Sequence, residues 1–275
     1  MSEVAKEKLY NALKRASIFI GVTYFMLCGT VFFMQESFVF VPTRGEPGST
    51  PKVLSLPYED LKLKSGDGEI HAWFIPAKAD KGTILFCHGN AGNLGHRIST
   101  VKIWNDLGYN LMIFDYRGFG ISTGSPSEEN CYEDTKTCYE WLKDNNKLSK
   151  KLIIHGRSLG GGPATWAALN LSSHGLILES TFTSIPDMGR KQFPILPVDL
   201  ITYIEFPILE RVSKLTIPLL VLHSKDDEFI PYSMAERLAA TGGVELQDLT
   251  GDHNSGFTRT IDYKDKLEDF ISTLK

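Results

Sequence analysis

Residues 153–162 read IIHGRSLGGG. An apolar run stops at Gly156, a serine stands between two glycines, and a helix-forming run follows at once. Gly156-Arg157-Ser158-Leu159-Gly160 fits the pattern G-x-S-x-G. Alone, that pattern is common by chance, and one reading of it is a glycine-rich turn with a bystander serine. Strand, tight turn and helix in direct succession are what a nucleophile elbow requires. Glycines on either side remove side chains that would collide in the turn. The serine is then left exposed above the C-terminal edge of a sheet, where ligand sites of open α/β folds lie.

A serine hydroxyl is a poor nucleophile without a base. In elbow folds an acid and then a histidine follow the serine in chain order. Of seven histidines, only His174, His223 and His253 come after Ser158. His174 sits in the turn before a strand, and His223 ends a strand before any well-placed acid. His253 lies in TGDHNSGF, a loop between the last strand and the closing helix, and is the one histidine that can come last. The acid falls in LLVLHSKDDEFIP, where Asp226, Asp227 and Glu228 stand just past a strand. A carboxylate there can accept Nδ1–H and hold the imidazole in the tautomer whose Nε2 takes the serine proton. Asp252, adjacent to His253 in the loop, points elsewhere. For the oxyanion, the backbone N–H of Leu159 is one donor. The second comes from the loop after the third strand, HGNAGN, with Asn90 N–H first and Ala91 as the other candidate. His88 is read as bracing that loop.

Working outward, strands and helices alternate from about Tyr58 onward. LKLKS and IHAWFIP form two leading strands across the turn GDGE, and they pair antiparallel. TILFCHG, NLMIFDY, KLIIHG, GLILES, IPLLVLHS and GVELQDL are further strands. Helices are expected over Leu94–Leu107, Ser127–Asn146, Leu159–Leu171, Tyr232–Ala240 and Phe257–Leu274. Continuous apolar strands with helices between them imply a mostly parallel sheet of about eight strands, covered on both faces. Thr181–Thr216 breaks this rhythm with four prolines among bulky apolar residues and reads as a small cap.

The first forty residues are of another kind. Ala16–Met34 contains no charged residue and as a helix spans about 28 Å, close to the hydrocarbon core of a bilayer. A signal peptide would have a shorter apolar core and a small-residue cleavage site, which VFFMQE lacks. A buried helix of a soluble domain is the remaining alternative. Lys6, Lys8, Lys14 and Arg15 precede the run and only Arg44 follows closely, which places the N-terminus in the cytosol. The net charge of −4, with no basic tract, argues against nucleic acid as a partner. The four cysteines read as free buried thiols, since Cys131 and Cys138, two helical turns apart, lie about 10 Å from each other.

Taken together, FCHGNAGN, FDYRGFGISTGSPSE, HGRSLGGG, HSKDDEFIP and GDHN resemble the α/β-hydrolase superfamily. They are similar to its membrane-anchored, bud-emergence-type branch, from about Glu36 to Leu274. The resemblance implies a Ser158–Asp227–His253 triad, because the family pattern H-G-x-x-D-x-x-[VI]-P lies over His223–Pro231. Ser224 stands where that pattern has glycine. It also implies a bracing role for Asp115, Tyr116, Arg117 and Gly118, and no cofactor or metal. The expected organisation is a cytosolic tail over residues 1–15, an anchor over 16–34, and a hydrolase domain over 35–275 with its cap at about 181–216. The expected activity is cleavage of a long-chain acyl ester or thioester on a lipid or an acylated protein, at an endomembrane such as the endoplasmic reticulum. A soluble-substrate esterase or aminopeptidase is the alternative, and a non-catalytic membrane scaffold a third.

Overall fold

The computed structural model describes residues 2–148 and 150–275. Eight strands form one sheet: β1 (Glu59–Ser65), β2 (Gly68–Ile75), β3 (Gly82–Cys87), β4 (Asn110–Phe114), β5 (Lys151–Arg157), β6 (Gly175–Glu179), β7 (Leu219–Ser224) and β8 (Leu246–Leu249). Their spatial order is β1-β2-β4-β3-β5-β6-β7-β8. β2 runs antiparallel to both β1 and β4, and every other pairing is parallel.

The apolar strands are continuous because both faces are covered. In β3, Leu85 and Cys87 enter one core cluster while Ile84 and Phe86 enter the other. β6 repeats this with Leu176 and Leu178 against Ile177. Helices α2 (Ile98–Leu107) and α10 (Tyr263–Thr273) cover one face. α3 (Glu128–Asp144), α4 (Gly161–Asn170) and α8 (Tyr232–Gly242) cover the other. β1 is an edge strand, and its outward Lys62 and Lys64 keep that edge from pairing with another chain.

The element ends follow local chemistry. Ser127 caps α3, its Oγ accepting the Asn130 N–H at 3.1 Å. Gly108 ends α2 in the left-handed region at φ 86°. The closing helix is not continuous as expected: α9 (Gly256–Arg259) and α10 are separated at Thr260–Asp262. Thr260 turns its Oγ1 to accept the Thr250 N–H at 2.8 Å, which ties the break to the end of β8.

Residues 181–216 leave the sheet as a cap of three short helices: α5 (Ile185–Gln192), α6 (Val198–Ile201) and α7 (Ile208–Val212). The cap has little core of its own and is held by distant side chains. Glu128 of α3 accepts the N–H groups of Glu205 and Phe206 at 2.6 and 2.9 Å. Gln35 accepts those of Tyr203 and Ile204 at 2.9 and 3.2 Å.

Gln35 belongs to α1 (Glu3–Val39), which extends past the apolar run at both ends. It is long and apolar enough to cross a bilayer, and its apolar window lies outside the folded domain. Its C-terminal half packs on the cap, with Phe32 edge-on to Tyr203 and Tyr24 donating to the Ile195 carbonyl. All four thiols are free; Cys87, Cys131 and Cys138 are buried, whereas Cys28, on α1, is partly exposed.

Candidate active site

Four strands end on one side of the sheet, and each delivers one part of a single constellation. β5 leads straight into Ser158, the first residue of a single 3-10 turn that opens onto α4. Ser158 itself sits in the left-handed region at φ 52°. That conformation is strained for a residue with a side chain and persists only where the surroundings enforce it. The enforcing contacts belong to the glycines. A Cβ on Gly160 would lie 2.0 Å from the Cys87 carbonyl oxygen, and one on Gly156 would lie 2.5 Å from Ala164 Cβ and from the Gly160 oxygen. Both glycines are therefore demanded by close approach, and the serine alone bears the unusual backbone. Thr181 Oγ1 donates to the Ser158 carbonyl at 2.7 Å and pins the turn from β6.

β8 delivers His253. Its Nε2 lies 3.0 Å from Ser158 Oγ, and its Nδ1 lies 2.7 Å from Asp227 Oδ2. β7 delivers Asp227, whose other oxygen accepts the N–H groups of Phe229 and Ile230 at 3.0 and 2.8 Å. Burial works to raise the Asp227 carboxyl's affinity for protons. The hydrogen bond from His253, the Ile230 N–H and the nearby imidazoles outweigh burial and hold that carboxyl below the ordinary aspartate range. The structure thus brings Ser158, His253 and Asp227 into one hydrogen-bonded line.

The neighbouring acids take other places. Asp226 is exposed, and its N–H donates to Ser224 Oγ at 3.1 Å. Glu228 accepts the His253 backbone N–H at 3.1 Å, and Asp252 turns back on its own loop to accept the Asn254 N–H. Burial pushes His223 toward the neutral form, and its Nε2–H donates to the Ile230 carbonyl at 3.0 Å, closing the acid loop.

β3 delivers the loop His88–Asn93. His88 is fully buried, donates Nδ1–H to the Gly89 carbonyl at 2.6 Å and is pushed toward the neutral form by burial. It braces the loop. Tyr116 donates to the His88 carbonyl at 3.0 Å, and Asp115 accepts the Leu94 N–H at 3.3 Å, so two residues of the Asp115–Gly118 stretch support the same loop. Arg117 points away and ties Asp134, Glu133 and Asp67 together. Within the loop, the Ala91 N–H is occupied by Asn90 Oδ1 at 3.0 Å. The Asn90 N–H has no acceptor among the described residues.

Sequence reasoning missed one group behind the serine. Arg157 pairs with Glu179 at the end of β6, with Nε 2.8 Å from Oε1. Glu179 also accepts from Tyr263 of α10 at 2.6 Å and meets His155 Nε2 at 3.0 Å. The Arg157 guanidinium lies 3.7 Å from the Phe257 ring centre, four residues past His253. A charged residue ending an otherwise apolar strand, as Glu179 does in GLILE, was the available signal.

A family model described as the alpha/beta hydrolase fold matches residues 82–206. Protein bem46 of Schizosaccharomyces pombe is 32% identical over 244 residues, covering 81% of this chain and 80% of that protein. The chain belongs to the α/β-hydrolase family. Within it the chain is of the bud-emergence type and is a serine hydrolase. Lysophosphatidylserine lipase ABHD12 of Danio rerio is 34% identical over 220 residues, covering 68% of this chain and 57% of that lipase. The chain therefore spans little more than half of the lipase it matches. Among solved structures, the Pyrococcus furiosus esterase Pf2001 shares the hydrolase fold with a TM-score of 0.71 at 21% identity, over 86% of this chain and 97% of the esterase.

Proposed function

We propose that this hydrolase cleaves long-chain acyl esters or thioesters at a membrane to which α1 anchors it, with Ser158, His253 and Asp227 as its triad. The observation that carries the reading is the unbroken line from Asp227 Oδ2 through His253 to Ser158 Oγ, at 2.7 and 3.0 Å. Ser158 Oγ attacks the acyl carbonyl while His253 Nε2 takes its proton. Asp227 holds Nδ1–H and stabilises the imidazolium that forms. The N–H groups of Leu159 and Asn90 receive the charge that develops on the carbonyl oxygen. His253 then returns the proton to the leaving alcohol or thiol, which departs and leaves an acyl-enzyme. In the second half His253 takes a proton from water, the hydroxide attacks the acyl carbon, and the proton passes back to Ser158 as the acid leaves.

The substrate class draws support from three sides. The ABHD12 relatives are lysophosphatidylserine lipases. The cap exposes Ile195 and Leu200 next to α1, so apolar surface lies beside the apolar helix. An uncharged run of bilayer length lies in that same helix. The organisation that follows is a tail over 1–15, an anchor over 16–34 in an endomembrane, and a catalytic domain over 35–275.

Labelling by a fluorophosphonate probe tests the nucleophile, and a series of acyl chain lengths tests the substrate. The wild type is expected to label, and Ser158→Ala is expected to lose labelling and at least ~10³-fold in kcat. An unlabelled native wild type would remove the triad. Preference for acetyl over long-chain esters would remove the lipid assignment and leave the hydrolase.

A further inference from the structure

The apolar helix and the oxyanion loop are joined. α1 ends at Val39, and its last carbonyls have no partner within the helix. Asn90 supplies one: Nδ2 donates to the Val39 carbonyl at 2.7 Å. Asn90 Oδ1 accepts the Val41 N–H at 2.9 Å and, on its other lone pair, the Ala91 N–H at 3.0 Å. The attachment continues along the loop. Gly92 N–H donates to Thr43 Oγ1 at 3.0 Å, and Asn93 Nδ2 donates to the Gly45 carbonyl at 3.1 Å.

The segment that receives these bonds is itself fixed. Phe40 is buried in the core against Phe206 of the cap. Gly120 bonds the segment from both sides, its N–H to Thr43 O at 2.9 Å and its carbonyl to Gly45 N–H at 2.8 Å. Gln35, one turn before Val39 and on the same helix face, holds the cap through Ile201, Tyr203 and Ile204. The C-terminal end of α1 and the residues just past it therefore hold both the cap and the oxyanion loop.

The loop needs this support. Ala91 stands at φ 59°, in the left-handed region that alanine disfavours. The Asn90 Oδ1 bond to its N–H offsets that strain. It also occupies the Ala91 donor and leaves the Asn90 N–H as the loop's open one. If the Asn90 side chain lets go, the turn at Asn90–Ala91 is free to relax, and the adjoining 89–90 peptide, which carries the Asn90 N–H, loses its fixed direction with it.

We propose that the Asn90 side chain is a positioning residue that couples the seating of helix α1 to the oxyanion hole, so that the membrane helix sets the turnover rate as well as the location. The inference rests on the reading of Ser158 as nucleophile. It is tested in the full-length chain in detergent micelles, with a 4-nitrophenyl acyl ester as substrate. Asn90→Ala keeps the backbone N–H and removes the clamp. Val41→Pro removes one donor to the clamp from the helix side, at a position preceded by extended backbone that tolerates proline. Each is expected to lower kcat by about 10- to 100-fold with KM little changed, as a misplaced catalytic group does. The double variant is expected to be no worse than the poorer single, because both break one linkage.

Unchanged kcat in Asn90→Ala, or losses that multiply in the double variant, would overturn the proposal. So would a fall in kcat that only tracks a fallen melting temperature. If Val41→Pro does not fold, Asn90→Ala decides alone by its kcat at unchanged melting temperature. An inactive wild type would sink the triad reading and this inference together; an active wild type with unaffected variants sinks this inference only.

Discussion

Asp226 and Asp227 are adjacent carboxylates of the same intrinsic acidity, and only backbone direction separates them. Asp227 turns inward, takes two backbone N–H bonds and meets His253; Asp226 faces solvent. The expected consequence is sharp. Asp227→Asn keeps the shape but no longer holds the imidazole in its working tautomer, and kcat is expected to fall by about 10⁴. Asp226→Asn is expected to stay near the wild-type rate. Equal losses in the two variants, measured on one acyl ester, would contradict the assignment. Ser224, in place of the family's glycine, does not disturb the register, because its Oγ turns to the Gly251 carbonyl and so ties the acid loop to the histidine loop.

Strand β5, strand β6 and helix α10 meet at the buried ion pair of Arg157 and Glu179. Burial alone would raise the Glu179 carboxyl. The Arg157 charge and the hydrogen bonds from His155 and Arg157 more than reverse this and lower it from 4.5 to about 2. A depressed folded-state value means that Glu179 stabilises the fold in full above pH 4.5, and that this share is lost as pH falls toward 2. The share is on the order of 3 kcal/mol. Melting temperature is therefore expected to drop steeply between pH 4.5 and 2 in the wild type. Glu179→Gln strands the Arg157 charge and is expected to cost about 3–5 kcal/mol at pH 7, with a flatter acid limb. Parallel pH curves for the two proteins would refute it. The functional stake lies in Phe257, on which Arg157 stacks: the network stands between the elbow and the histidine loop.

The cap, α1 and the hydrolase core meet only in the assembled chain, and the proposed membrane topology can be tested from outside the site. The positive residues Lys6, Lys8, Lys14 and Arg15 before the apolar run make a cytosolic N-terminus, with the catalytic domain across the bilayer, the topology to test. Asn170-Leu171-Ser172 is an N-glycosylation acceptor pattern. Asn170 is the last residue of α4 and is exposed, not buried within a helix. In a glycosylating eukaryotic host, a lumenal domain is expected to carry glycan at Asn170, seen as a gel shift removed by Asn170→Gln. An unshifted, active protein would place the domain in the cytosol.

Much of this molecule was legible in linear order. The eight strands, their mostly parallel pairing and the succession Ser158, acid loop, His253 follow from apolar runs and from chain order, which are local properties. The closing helix was misread as continuous because Thr260 finds its partner at Thr250, on a different element. In the sequence Glu128 is a first-turn carboxylate of α3, and Gln35 directly follows the uncharged run 16–34. Folding turns both into clamps on the cap, more than seventy residues from Glu128 and more than 160 from Gln35. Asn90 was named for its backbone, and its side chain proved to hold the end of α1. Side-chain hydrogen bonds between distant segments leave no periodic trace in a sequence. They need only one amide or carboxylate at the right point in space, and packing alone brings that point into being.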